Sequence, residues 1–174
     1  MSDNFLASLT LAELCELFEK AGYRVEPAVD PASGVSYLRS TASGIAFDLR
    51  PGARSPGDSA GRFVDFTLVC VLRCRGEAPG DLVNDWNITH RFSRLQFGGS
   101  YFALCMDVSI FGGVTREHFR TNIEIWGRLV EELIVHLREG VRERAAARRA
   151  ESDRAEFDPD VRRHESAVGA MSYA

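Results

Sequence analysis

The chain has 174 residues and a mass of 19.3 kDa, with 45% apolar and 26% charged residues, a balance that excludes fibrous, disordered and disulfide-framework classes. Twenty-one basic residues against twenty-five acidic ones leave a net charge of −4. That counts against a dedicated nucleic-acid binder, which concentrates a basic excess on one face.

The amino terminus, Met1-Ser2-Asp3-Asn4-Phe5, has no positive charge and no apolar stretch of signal-peptide length. Thr10-Leu11-Ala12-Glu13 fits a capping box, with Leu9 and Leu14 at the flanking staple positions. Leu11, Leu14, Cys15, Phe18 and Ala21 then mark one helical face, and Gly22 ends the helix. Tyr23 to Glu26 reads as a short strand or lead-in that Pro27 and Pro31 stop. Val35–Arg39 and Ile45–Leu49 read as strands joined by turn chemistry at Ser43-Gly44. Residues 51 to 62 hold three glycines, two prolines and two serines without apolar period, and are predicted to be a mobile loop.

Phe63 to Cys74 is the longest predicted strand. Val64, Phe66, Leu68, Cys70, Leu72 and Cys74 share an apolar face, while Phe63, Asp65, Thr67, Val69, Val71 and Arg73 make a mixed one. Such a strand belongs inside an antiparallel sheet with one well-covered side. Pro79-Gly80-Asp81 starts a short helix to His90 whose Val83 and Trp86 should face the sheet. Phe92–Phe97 and Ser100–Ile110 form a hairpin about Gly98-Gly99, a register that sets Leu95 opposite Phe102. Thr115 caps the final helix, whose stripe is Phe119, Ile123, Trp126, Val130, Leu133 and Leu137. Beyond Gly140 the pattern collapses: residues 138 to 163 hold eight arginines and seven acids, helix is sustainable to about residue 150, and disorder is expected after Pro159. The predicted organisation is therefore an α+β domain over residues 5–140 and an arginine-rich charged tail over 141–174.

The motifs that carry chemistry are weak. Cys15, Cys70, Cys74 and Cys105 read as reduced, mostly buried thiols, with Cys70 and Cys74 about 13 Å apart on one strand and unable to bond. No second pair completes a metal site, and His90, His118, His136 and His164 show no ligand spacing. Asp65 and Asp107 fall on the less apolar faces of their strands, where a surface pair outweighs an acid–base pair. No serine elbow is present. The longest near-continuous apolar run, Phe66 to Leu72, is seven residues, against about 20 for a bilayer span. The reading is a cytoplasmic protein that is not an enzyme, with no cofactor, no metal and no membrane contact.

The element order is helix, three strands, helix, two strands, helix. Together with Asn84-Asp85-Trp86-Asn87 followed by Arg91-Phe92, the apolar strand at 100–110, and Gly112-Gly113-Val114-Thr115 leading into a helix with Trp126, it resembles the YbjN family of bacterial proteins over about residues 9 to 138. The resemblance implies a sensory-transduction regulator with the type III secretion chaperone fold: a twisted antiparallel sheet of about five strands with helices against it. It implies no catalytic residue. The resulting expectation is a chaperone-like or regulatory module that binds a protein partner or itself, secretion chaperones of this fold being homodimers. Candidate contact residues are Asn84, Trp86, Asn87 and Arg91 around the motif, and Phe63, Val69, Val71 and Tyr101 on the mixed strand face, where apolar groups left wet invite a cover. The alternatives are a small-ligand sensor with a pocket between sheet and helices, and an RNA contact through Arg142–Arg149, which the neighbouring acids disfavour.

Overall fold

In the computed structural model, which describes residues 5–57, 61–74 and 80–156, the capping box forms as the sequence predicts. The Thr10 hydroxyl accepts from the Glu13 amide at 3.2 Å, and the Glu13 carboxylate accepts from the Thr10 amide at 2.8 Å. These bonds satisfy the orphan donors of α1 (Leu11–Lys20), which buries Leu14 and Phe18. The strands are β1 (Phe5–Leu6), β2 (Glu26–Val29), β3 (Ser36–Ala42), β4 (Ile45–Pro51), β5 (Asp65–Arg73), β6 (Arg94–Phe97), β7 (Tyr101–Ser109) and β8 (Val114–Thr115). Two further helices are α2 (Gly80–Thr89) and α3 (Arg116–Glu156). Six strands form one antiparallel sheet in the order β2-β3-β4-β5-β7-β6, and β1 pairs with β8 in a separate two-stranded sheet. The class is α+β.

One face of the large sheet holds the core. Leu38, Phe47, Leu49, Phe66, Leu68, Leu104, Met106 and Val108 are all buried. Rings from the helices close over them: Trp126 lies 5.6 Å from Phe47, Phe119 lies 5.5 Å from Phe66, and Phe18 meets both Phe47 and Phe119. The one polar side chain buried among the described residues, Ser40, donates to the Arg24 carbonyl at 2.8 Å and so carries no unmet bond. The chain divides after His136 into two compact units. The first carries both sheets, α1, α2 and the start of α3; the second carries the remainder of α3.

Four expectations change. The strand read over Tyr23–Glu26 runs instead through Pro27, because β2 is a sheet edge and a residue without an amide costs no ladder bond there. The hairpin turns one residue later, on Gly99-Ser100, so Leu95 faces Leu104 and Phe97 faces Phe102. Gly99 takes φ +79°, and Gly98 leaves room for the Tyr101 ring, which a Cβ would meet at 2.3 Å. The pairing moves by two residues, so every side chain keeps its face. The flanks of the predicted mobile loop continue the β4–β5 hairpin: Val64 donates to Ala53 at 2.9 Å and Ser55 to Arg62 at 2.9 Å. Its tip, 58–60, lies outside the described residues, as do Pro79 and the segment after residue 156. Finally, α3 continues to Glu156, past the predicted end near residue 150.

Candidate functional site

The Asn-x-Trp-Asn run sits at the corner where α2 gives way to β6. Leu82 and Trp86, one turn apart, are the buried pair of α2, and Val83 is only half-buried. Trp86 is fully buried and its indole donates to the Ser93 hydroxyl at 3.2 Å. The Asn87 amide makes two bonds to one residue: its Nδ2 donates to the Leu95 carbonyl at 3.1 Å, and its Oδ1 accepts from the Leu95 amide at 2.8 Å. That is the pattern of a neighbouring strand. Asn87 thus closes the open edge of β6, the last strand of the sheet. Asn84 is exposed, and Arg91 lies over the Phe92 ring at 5.2 Å.

The second group of predicted contact residues lies on the sheet face that the helical rings do not cover. Val69 and Val71 stand opposite Cys105 and Ala103, and Arg73 opposite Tyr101. Val71 is 52% exposed and Tyr101 41%, its ring folded against Gly98. Phe63 stands apart from them. It precedes β5, is half-buried, and bridges Leu9 and Arg54. Around the valines runs a charged lattice. Arg39 pairs with Asp48 at 2.8 Å, and Arg50 joins Asp48 at 3.2 Å and Asp30 at 2.9 Å. Arg94 pairs with Asp107, which also accepts from Thr67 at 2.6 Å. The guanidiniums of Arg39 and Arg50 both cover the Tyr37 ring. Bonds from Arg50, with the Ala32 and Ser33 amides, hold the Asp30 carboxyl at a pKa of about 2, and Arg94 lowers that of Asp107.

The family model described as "Putative bacterial sensory transduction regulator", YbjN, matches residues 10–139. The chain belongs to the YbjN family. No curated protein and no solved structure matches it. The matched span takes in both the α2–β6 corner and the open sheet face of this YbjN chain, and leaves out most of the second unit.

Asp65 does not pair with Asp107: it stands opposite Ser109 and accepts from the Ala53 amide at 2.9 Å. Burial pushes the Cys70 thiol up to about 11 and raises those of Cys105 and Cys15, which blunts them as nucleophiles. The four cysteines are free. No cluster of three or more metal-ligating side chains forms among the described residues, and no described helix is long and apolar enough to cross a membrane.

The sequence reading missed one grouping. The His90 ring stacks on Trp86 with centroids 3.6 Å apart and planes 3° from parallel, and His136 approaches the same indole edge-on at 5.5 Å. His136 Nε2 is bonded to the Leu82 carbonyl at 2.8 Å, tying α3 to α2. The spacing of Trp86 and His90, one helical turn, was the available signal. Their meeting with a histidine on a distant helix was not visible in any local pattern.

Proposed function

We propose that this YbjN chain is a non-enzymatic regulatory module of the bacterial cytoplasm that acts through protein contact, its open sheet face receiving a second copy of the chain. The observation that carries the reading is the asymmetry of the sheet. Helical rings seal one face, while on the other Arg39, Thr41, Ala46, Val71, Arg73, Arg94, Gln96, Tyr101 and Asp107 are exposed.

The face suits a copy of itself for two reasons. A two-fold interface must be self-complementary, and here guanidiniums and carboxylates alternate around an apolar centre of Val69 and Val71. Six strands span about 24 Å, and the nine-residue strands β5 and β7 run about 30 Å, a footprint of at most about 700 Å². Standard interfaces bury about 600–1,000 Å² per partner, so the whole face reaches the lower part of that range. Free thiols and the family description fit a regulator in a reducing compartment.

The test is light scattering at micromolar concentration on the intact chain and on Val71→Arg. The expected mass is twice 19.3 kDa for the first and 19.3 kDa for the second, with matching circular dichroism spectra showing that both are folded. A single-copy mass for the unaltered chain at every concentration would overturn the proposal.

A further inference from the structure

A second surface, distinct from the sheet face, has the make-up of a ligand site. Residues 89–92, at the end of α2, and Ile125, Arg128, Leu129 and Glu132 of α3 line a shallow, open cleft of about 270 Å³. That is the space of roughly nine liquid waters, which suits a small molecule and not a peptide. We propose that this cleft binds a small monoanionic carboxylate whose other end is apolar.

Charge is the first argument. Arg91 and Arg128 both line the cleft, and neither has a carboxylate partner among the described residues. Four other arginines of the first unit, Arg39, Arg50, Arg62 and Arg94, are paired with acids. Two guanidiniums against the single carboxylate of Glu132 give the arginines and acids of the lining a formal excess of +1, which one carboxylate ligand balances. A planar guanidinium fork also matches a carboxylate in shape.

The apolar lining is the second argument. Ile125 and Leu129 form a wall, and Phe92 stands at the rim. Phe92 holds φ +70°, a left-handed conformation rare for a bulky side chain. Its ring is 61% exposed and meets the Arg91 guanidinium at 5.2 Å, and a ligand lying between Phe92 and Leu129 would cover more of it.

The floor is rigid, which favours binding at low ordering cost. His90 lies flat on Trp86, Trp86 is fixed by Ser93, and His90 Nε2 stands 3.8 Å from the Glu132 carboxylate. The site involves none of the sheet-face residues, so it stands or falls apart from the dimer proposal.

The probe is 4-fluorobenzoate, followed by fluorine NMR and by amide shifts of the protein. Saturable shifts are expected at His90, Phe92, Arg128 and Leu129. Arg91→Gln and Arg128→Gln should each weaken binding about tenfold or more, the loss of one charge-assisted bond. Glu132→Gln should tighten it severalfold by removing the competing carboxylate, and Val71→Arg should leave it unchanged. All these positions except Leu129 are surface-facing or half-buried, so the variants should fold. Equal binding of the neutral 4-fluorobenzamide, shifts centred elsewhere, unaltered affinity in Arg128→Gln, or no shift at all would each overturn the assignment.

Discussion

Replacing Asn87 by alanine tests whether the most characteristic run of the sequence works by holding the fold. Both amide atoms of Asn87 are committed to the backbone of Leu95, at 3.1 and 2.8 Å, on the free edge of β6. Each such bond contributes about 0.5–1.5 kcal/mol net, so losing two costs about 1–3 kcal/mol. Asn87 itself is exposed, and water can take over part of what it leaves, which places the expected loss in the lower half of that range. In a chain of this size a kilocalorie moves the melting point by about 2–4 °C. Urea unfolding should therefore show a loss of about 1–2 kcal/mol with an unchanged slope, and the Leu95 amide should lose protection from hydrogen exchange. Asn87→Asp gives a sharper chemical check. It keeps the acceptor for the Leu95 amide but sets an oxygen against the Leu95 carbonyl, so it should cost at least as much as alanine. A loss below about 0.5 kcal/mol in both variants, with Leu95 still protected, would refute the strand-mimic reasoning.

Other expectations follow from the same geometry. Thr10→Ala should remove about 1 kcal/mol by uncapping α1. Burial pushes the Glu13 carboxyl up, but bonds from Thr10 and Arg62 outweigh it and leave the pKa lowered. Glu13 therefore adds stability above its unfolded value of 4.5, lost as pH falls through the lower folded value, and the Thr10→Ala deficit in unfolding free energy should narrow below about pH 4. Asp30 titrates near 2 because Arg50 bonds it, so Arg50→Gln should move its carboxyl carbon-13 midpoint up towards 3.8; a midpoint already at 3.8 in the unaltered chain would contradict the ion pair. Gly98→Ala should displace the Tyr101 ring, visible as altered cross-strand NOEs between residues 98 and 101 and a loss of about 1 kcal/mol or more in thermal unfolding; unchanged NOEs would contradict the close approach.

Legibility in the sequence tracked how local each determinant was. The capping box at Thr10, the alternation of β4, β5 and β7, and the Thr115 cap, whose hydroxyl accepts from the His118 amide at 3.0 Å, are all short-range patterns and were readable. β1 and β8 have two residues each, too few to show a period. Pro27 misleads because a proline stops a central strand but not an edge strand, and strand order is a long-range property. At 98–100 two adjacent glycines and a serine offer turns one residue apart, and the one adopted seats the Tyr101 ring against Gly98. At the corner, burial of Trp86 was foreseeable from its place one helical turn after Leu82 and Val83. The bond from Asn87 to the edge of β6, and the convergence of His90 with His136 on one indole, depend on how α2 and α3 dock, which no local spacing encodes.

Amide NMR spectra of the chain at tens and at hundreds of micromolar probe the sheet face opposite the helical rings most directly. Concentration-dependent shifts are expected to cluster at Val69, Val71, Gln96 and Tyr101, with α1 and the inner-face residues unmoved. Spectra that superimpose across that range, or shifts confined to the helices, would contradict the dimer proposal.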